Sequence, residues 1–282
     1  MSVYEYVIRA NEAGNTHAIA PESAIDNPLS KARQLCEAYL PLELTEGMIM
    51  ANHVENWVQR FETFLLNQTF HDHSHDLAHF RRVYALAQVI AQDETVNHCV
   101  IAAACYFHDI VSLPKDHPER AQSSRLAAAK TQEIFANEFP DFPAEWLPMV
   151  LHAIEAHSFS AKITPTTLEA KIVQDADRME SVGAMGIART FYTSGLLKRA
   201  LFCNDDPFAE HRDLDDQTFA LDHFQAKLLK LPALMQTQRG RAMAQRNVEF
   251  MVTFMEKLGA EVQGDFEGRL HFSPCAEDQT TA

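Results

Sequence analysis

Glycine is scarce in this chain, 9 of 282 residues, or about 3% where about 7% is usual. Only 12 prolines accompany them, which disfavours an all-β fold, since that needs a turn every ~10 residues. Glycine-rich phosphate loops are missing too, with neither G-x-G-x-x-G nor G-x-x-x-x-G-K-[ST] present. The five cysteines, Cys36, Cys99, Cys105, Cys203 and Cys275, are scattered and form no C-x-x-C. They read as reduced thiols, not as a disulfide framework or a zinc knuckle. No apolar run approaches the ~18 residues of a membrane span. Residues 1–30 carry Glu5, Arg9, Glu12, Glu22 and Asp26 and lack the apolar stretch of a signal peptide. A cytoplasmic protein is expected. Basic charge is also short, 24 Lys and Arg against 39 Asp and Glu, for a net charge of −15. Such a chain repels nucleic acid and anionic membranes unless cations or a metal cluster locally.

What remains is ordinary globular composition, 46% hydrophobic and 22% charged, with an unusual 14 histidines. Helical spacing runs through the chain. It links Ile49, His53, Trp57, Phe61, Phe64 and Leu65 over about 45–66, then Phe80, Val83, Leu86, Ala87 and Ile90 after a polar break at 67–76. A compact apolar helix is predicted over 96–108, stopping near Pro114. An alanine-rich helix follows over 119–138, ended by Pro140 and Pro143. Further helical faces are Trp146 to Ile154 and Leu168 to Ala176. Helix resumes after Gly183 and Gly186 to about 202. The acidic loop 204–216 precedes two last helices at about 217–231 and 238–258. Phe250, Met251, Phe254 and Met255 read as core. The fold class is therefore all-α. Residues 1–50 form a partly helical N-terminal extension, 51–262 the main domain, and 263–282 a polar tail.

Four positions carry chemistry. They are His79, the pair His108-Asp109 at the end of a strongly apolar helix, and an Asp of Asp175-Ala176-Asp177-Arg178. Imidazole and carboxylate together suit divalent transition metals. Two polar groups at the edge of a core need partners, and a metal supplies one for both. Each element alone is common in proteins; the joint pattern, with helices filling both gaps, is not.

His…His-Asp…Asp on successive helices resembles the HD-domain superfamily of metal-dependent phosphohydrolases. The stretches 75–83, 108–115 and 167–178, with Gly183-Ala184-Met185-Gly186-Ile187-Ala188-Arg189, are similar to its YedJ/YpgQ-like branch over roughly 55–260. The resemblance implies an all-α bundle and a divalent metal (Mn, Mg, Co, Ni, Fe or Zn) on His79, His108, Asp109 and Asp177. Asp177 is preferred to Asp175 because the superfamily's last ligand follows the Ala. It also implies hydrolysis of a phosphate ester or anhydride, with a nucleotide as the small-molecule substrate. The leading expectation is a (deoxy)nucleoside triphosphate cleaved to monophosphate and pyrophosphate. The alternatives are 5′-nucleotidase or phosphodiesterase action, or a non-catalytic nucleotide-binding module. Some branches place a Glu three residues after the HD Asp; here that position is Ser112.

Around these ligands, Lys115, His117 and Arg120 read as a cationic lid, and Arg178 and Lys227 as further phosphate contacts, with His223 one turn before Lys227. Asp109, His157 and Asp76 are the catalytic candidates: His157 as a substrate-facing donor, Asp76 as an orienting group or a helix cap. His152, Glu155 and His157 allow a second metal, though one is favoured. His71 and His73 read as loop residues. A homodimer is possible, whereas membrane association and stable nucleic-acid binding are not expected.

Overall fold

The computed structural model describes residues 42–68, 76–113 and 117–268. Lys115, His71, His73 and His75 lie outside these, as do most of the expected N-terminal extension and the end of the polar tail. The chain divides into two units, 1–51 and 52–282, and all the site residues belong to the second.

Among the described residues there are nine α-helices and no strand beyond one isolated bridge. The helices are α1 (Leu42–Leu65), α2 (Leu77–Ala91), α3 (His98–Phe107), α4 (Ser123–Glu138), α5 (Leu147–His157), α6 (Leu168–Met179), α7 (Gly183–Leu196), α8 (Asp222–Ala226) and α9 (Gln238–Val262). Four begin with side-chain caps. Asp76 accepts from the His79 N–H at 3.0 Å, Asn97 accepts from the Cys99 and Val100 N–H groups at 3.0 and 3.2 Å, and Thr167 accepts from the Ala170 N–H at 3.1 Å. Thr237 caps α9, accepting from the Gly240 N–H at 3.0 Å. Each such cap stabilises its helix by about 1 kcal/mol. Glu169 extends the second by accepting the Asn97 N–H at 3.0 Å, which ties the start of α3 to α6.

Helix α3 is buried on every side from Cys99 to Phe107, as expected of a helix that is apolar all round. It ends at Phe107, earlier than the predicted stop near Pro114, and His108 is its C-cap. The predicted helix over 119–138 opens with a 3₁₀ turn, Arg120–Gln122, before α4 begins. The helix expected to reach 202 ends at Leu196, and the one expected over 217–231 breaks into α8 and a 3₁₀ segment, Leu228–Leu234, that contains Pro232. Proline has no N–H to give an α-helical ladder. Of the four residues expected in the core of the last helix, Met251 and Met255 are fully buried on one face with Ala244 and Val248, whereas Phe250 is exposed. Position 250 falls on the opposite side of the 3.6-residue period.

Two apolar clusters support the site. The first joins α1 to α6 through Trp57, Phe61, Phe80, Phe107, Phe135 and Ile172. The second joins Met179 at the end of α6 to Leu221, Phe224, Leu231, Met251 and Met255. Burial of each large side chain contributes roughly 1.5–3 kcal/mol. Helix α6 thus belongs to both clusters, and Asp177 lies on it between Ala176 of the first and Met179 of the second.

Candidate active site

The structure brings the four expected ligands together. Nε2 of His79 lies 3.1 Å from Nε2 of His108, and Oδ1 of Asp177 stands 3.7 Å from both. Oδ2 of Asp109 is 3.7 Å from the same His108 nitrogen. Both imidazoles are fully buried, Asp109 nearly so, and the Asp177 side chain is 27% exposed. They arrive from α2, the end of α3 and the last turns of α6. Nδ1 of His108 donates to the Cys105 carbonyl at 2.9 Å, and Nδ1 of His79 faces the Glu180 carboxylate at 3.4 Å. Those acceptors favour a proton on each Nδ1, so the two Nε2 atoms face one another, a pairing that needs a proton or a metal ion between them.

A divalent ion meets this need. Metal–donor bonds near 2.1 Å place neighbouring donors of an octahedral ion roughly 3 Å apart, close to the spacing found. His79, His108 and Asp109 are also a cluster whose ligand atoms all lie within 4.8 Å. With Asp177 they form a two-nitrogen, two-carboxylate set that suits Mn, Fe, Co, Ni or Zn. The charges respond to one another in the absence of an ion. Burial pushes the His108 imidazole down, but Asp109 and Asp177 outweigh it and raise its pKa to about 9. Burial likewise pushes Asp177 up, yet the hydrogen bond and charge of His108 hold it well below the usual carboxylate range. His79 is pushed down by burial.

A cavity of about 460 Å³ opens beside the ligands, within the usual range for small-molecule sites. Asp109, Asp177 and His157 line it with Arg120, Arg178 and Lys227. His157 donates from Nδ1 to the Ile154 carbonyl at 2.6 Å, and its Nε2 lies 3.5 Å from Asp109. Its ring stands against His108 with centroids 4.8 Å apart. Arg120 is anchored by Ser112 at 3.1 Å and by the Leu113 carbonyl. Arg178 donates to the Leu234 carbonyl at 2.7 Å, while its Nε is buried with no hydrogen-bond partner. The Lys227 ammonium lies 5.2 Å from the centre of the Phe159 ring, and burial pushes its pKa down. Asp76 does not line this cavity; it holds the first turn of α2 and so places His79. His152 is engaged elsewhere, accepting from the Thr166 N–H at 3.0 Å.

With this geometry, the family can be decided. Residues 76–181 match the HD-domain family model, and they span all four ligands. That stretch of the chain is an HD domain, and the chain is similar to proteins of the YpgQ-like branch. It is 28% identical to the YpgQ protein of Bacillus subtilis (strain 168) over 218 residues, 76% of this chain and 94% of that one. The crystal structure of YpgQ in complex with ADP is similar at a TM-score of 0.53 and 28% identity, covering 77% of this chain and 97% of that one. An HD-superfamily hydrolase from Bacillus thuringiensis matches at a TM-score of 0.55 and 27% identity, covering 76% and 98%. A protein from Lactobacillus plantarum does so at 0.57 and 28%, covering 75% and 99%. The described residues have an all-α fold, and no helix among them is long and apolar enough to cross a membrane.

The HD domain includes residues that pattern reading passed over. Glu180 contacts His79 and also accepts from Arg82 at 2.9 Å, with Arg189 at 3.6 Å. The signal was present: Glu180 follows Asp177 by three residues and Arg82 follows His79 by three, the spacing that puts side chains on one helical face. Asp175, the rejected neighbour of Asp177, has a different task. It accepts from the Gln236 and Thr237 N–H groups at 2.8 Å each and from the Thr237 hydroxyl at 2.8 Å, which fixes the start of α9.

Proposed function

We propose that this protein is a metal-dependent phosphohydrolase that cleaves a nucleoside triphosphate to the monophosphate and pyrophosphate. The observation that carries the reading is the placement of Asp109 and Asp177, the two carboxylates of the four-residue cluster, in the wall of a cavity that also holds Arg120, Arg178 and Lys227. A chain of net charge −15 needs such a local cationic surface to admit a polyanion. ADP in the YpgQ complex supports a nucleotide as the occupant.

A divalent cation on His79, His108, Asp109 and Asp177 would polarise a phosphoryl oxygen and lower the pKa of water bound to it. The chain's own groups do the rest. Arg120, Arg178 and Lys227 neutralise the phosphate oxygens and hold the chain of phosphates in line. The Arg178 Nε, which lacks an acceptor in the protein, gains one in a phosphate oxygen. Asp109 and His157 stand together at the cavity wall, and His157, its Nδ1–H fixed on Ile154, presents Nε2 as the group that moves a proton there. Water attacks the α-phosphorus and gives up a proton to His157, the bond from the α-phosphorus to the bridging oxygen breaks, and pyrophosphate leaves with that oxygen.

The test is turnover of a nucleotide panel with added Mn, Mg, Co or Ni. Pyrophosphate is the expected product, and His108→Ala and Asp109→Ala are expected to be inactive. Inorganic phosphate or a linearised cyclic nucleotide would mark a nucleotidase or phosphodiesterase instead. No turnover above the His108→Ala control in any metal overturns the reading.

A further inference from the structure

The cavity has a second wall with different chemistry. Beyond the HD ligands it is lined by Thr193 of α7, by Asp216 and Gln217 of the acidic loop, and by His223 of α8. Long-range backbone pairing builds this wall. The Ala200 N–H donates to the Thr218 carbonyl at 3.0 Å, and the Ala220 and Leu221 N–H groups return to Ala200 and Leu201 at 2.8 and 2.9 Å. Buried Asp222 clamps the same loop, since it accepts from Arg212 and from the Asp215 N–H at 2.7 Å.

On this frame Nδ1 of His223 stands 2.8 Å from Oδ2 of Asp216, and Gln217 Nε2 donates to Oδ1 of the same carboxylate at 3.1 Å. A carboxylate repels phosphate oxygens and seeks donors. Two oxygens offer about four acceptor sites, of which these contacts use two. The hydrogen bond from His223 holds the Asp216 carboxyl below its ordinary range, so it stays ionised and accepts. The wall is therefore rich in acceptors where the metal side of the cavity is rich in cations. Lys227 is within electrostatic reach of Asp177 on one side and Asp216 on the other.

We propose that Asp216, held in place by His223, forms a sugar subsite and accepts hydrogen bonds from the hydroxyl groups of a nucleotide whose phosphates lie against Arg120, Arg178 and Lys227. This rests on the phosphohydrolase reading and adds where the nucleoside lies and what reads it. Phosphates have no hydroxyl donors to offer this wall at neutral pH; a sugar does.

The test compares three substrate types with Mn present: the four ribonucleoside triphosphates, their 2′,3′-dideoxy counterparts, and inorganic tripolyphosphate. Wild type is expected to favour a ribonucleotide over its dideoxy form by about tenfold or more in kcat/KM, mainly through KM. Asp216→Asn and His223→Gln are expected to remove that preference by losing activity on the ribonucleotide alone. Their turnover of tripolyphosphate should stay within about twofold of wild type, which also shows that the variants are folded. Equal wild-type turnover of ribo and dideoxy forms overturns the sugar subsite, as does an equal loss on all three substrates in both variants. A wild type that cleaves none of the three overturns the phosphohydrolase reading, and the subsite falls with it.

Discussion

The Glu180 carboxylate lies 3.4 Å from Nδ1 of His79 while Nε2 of that ring faces His108 at 3.1 Å. One buried acid thus sets the orientation of one ligand. Partners of this kind typically alter metal affinity by roughly 10–100-fold. Glu180→Gln keeps the volume but removes the charge that favours the Nδ1–H tautomer, so Mn affinity measured by calorimetry should fall about tenfold or more. Arg82, which also binds this carboxylate, should give a smaller loss as Arg82→Gln. Unchanged affinity in Glu180→Gln would remove its orienting role.

Acidity supplies a second expectation. In the metal-free protein the His108 pKa is raised to about 9, so at neutral pH a metal must displace its proton. The burial-lowered His79 adds no competing proton. Apparent metal affinity should therefore climb about tenfold per pH unit from pH 7 and level off near 9. Stability of the metal-free chain runs the other way. The folded pKa exceeds the unfolded value of about 6.5, so this group's contribution is complete below pH 6.5 and is lost as pH rises through 9. Melting of chelator-treated protein at pH 6 and pH 9.5 checks the sign, with the higher melting temperature expected at pH 6.

The cluster of His79, His108, Asp109 and Asp177 was legible because each member stands where pattern exposes it. His108-Asp109 follows an apolar helix, and Asp177 interrupts the apolar face of α6. The fold class followed from the same periodicity. Helix ends were less legible: α3 stops at Phe107 with Pro114 still seven residues away, and the segment containing Pro232 turns as 3₁₀ helix. The far wall of the cavity was not legible as a unit. Asp216 and Gln217 sit in a loop with no period, and what carries them to the cavity is the pairing of 200–201 with 218–221, a long-range contact that local sequence does not encode. Glu180 could have been found, since it lies three residues after a ligand on the same face.

Two glycines of α7 make opposite predictions. A Cβ on Gly186 would stand 2.3 Å from the Ser181 carbonyl oxygen, a backbone atom that cannot swing away, whereas a Cβ on Gly195 would meet nothing within 4 Å. Gly186→Ala should cost about 1–3 kcal/mol and lower the melting temperature by roughly 2–10 °C. Gly195→Ala should leave it unchanged or raise it, because alanine favours a helix over glycine by up to ~1 kcal/mol. Scanning calorimetry of both variants decides. Equal melting temperatures would mean that α7 shifts freely away from Ser181.

Lys227 separates binding from stability. Burial pushes its ammonium pKa down, so the folded chain bears a cost for keeping the charge beside Arg178 and over Phe159. A polyanionic substrate offsets that cost; the empty cavity does not. Lys227→Met keeps the apolar stem and discards the charge. The variant should melt no lower than wild type, while its KM for a nucleoside triphosphate rises about tenfold or more, as expected for loss of a charge-assisted contact. A variant with an unchanged KM would place Lys227 outside the phosphate path. One that melts several degrees lower would make its role structural, because relief of a buried charge cannot destabilise a chain unless that charge was holding the fold.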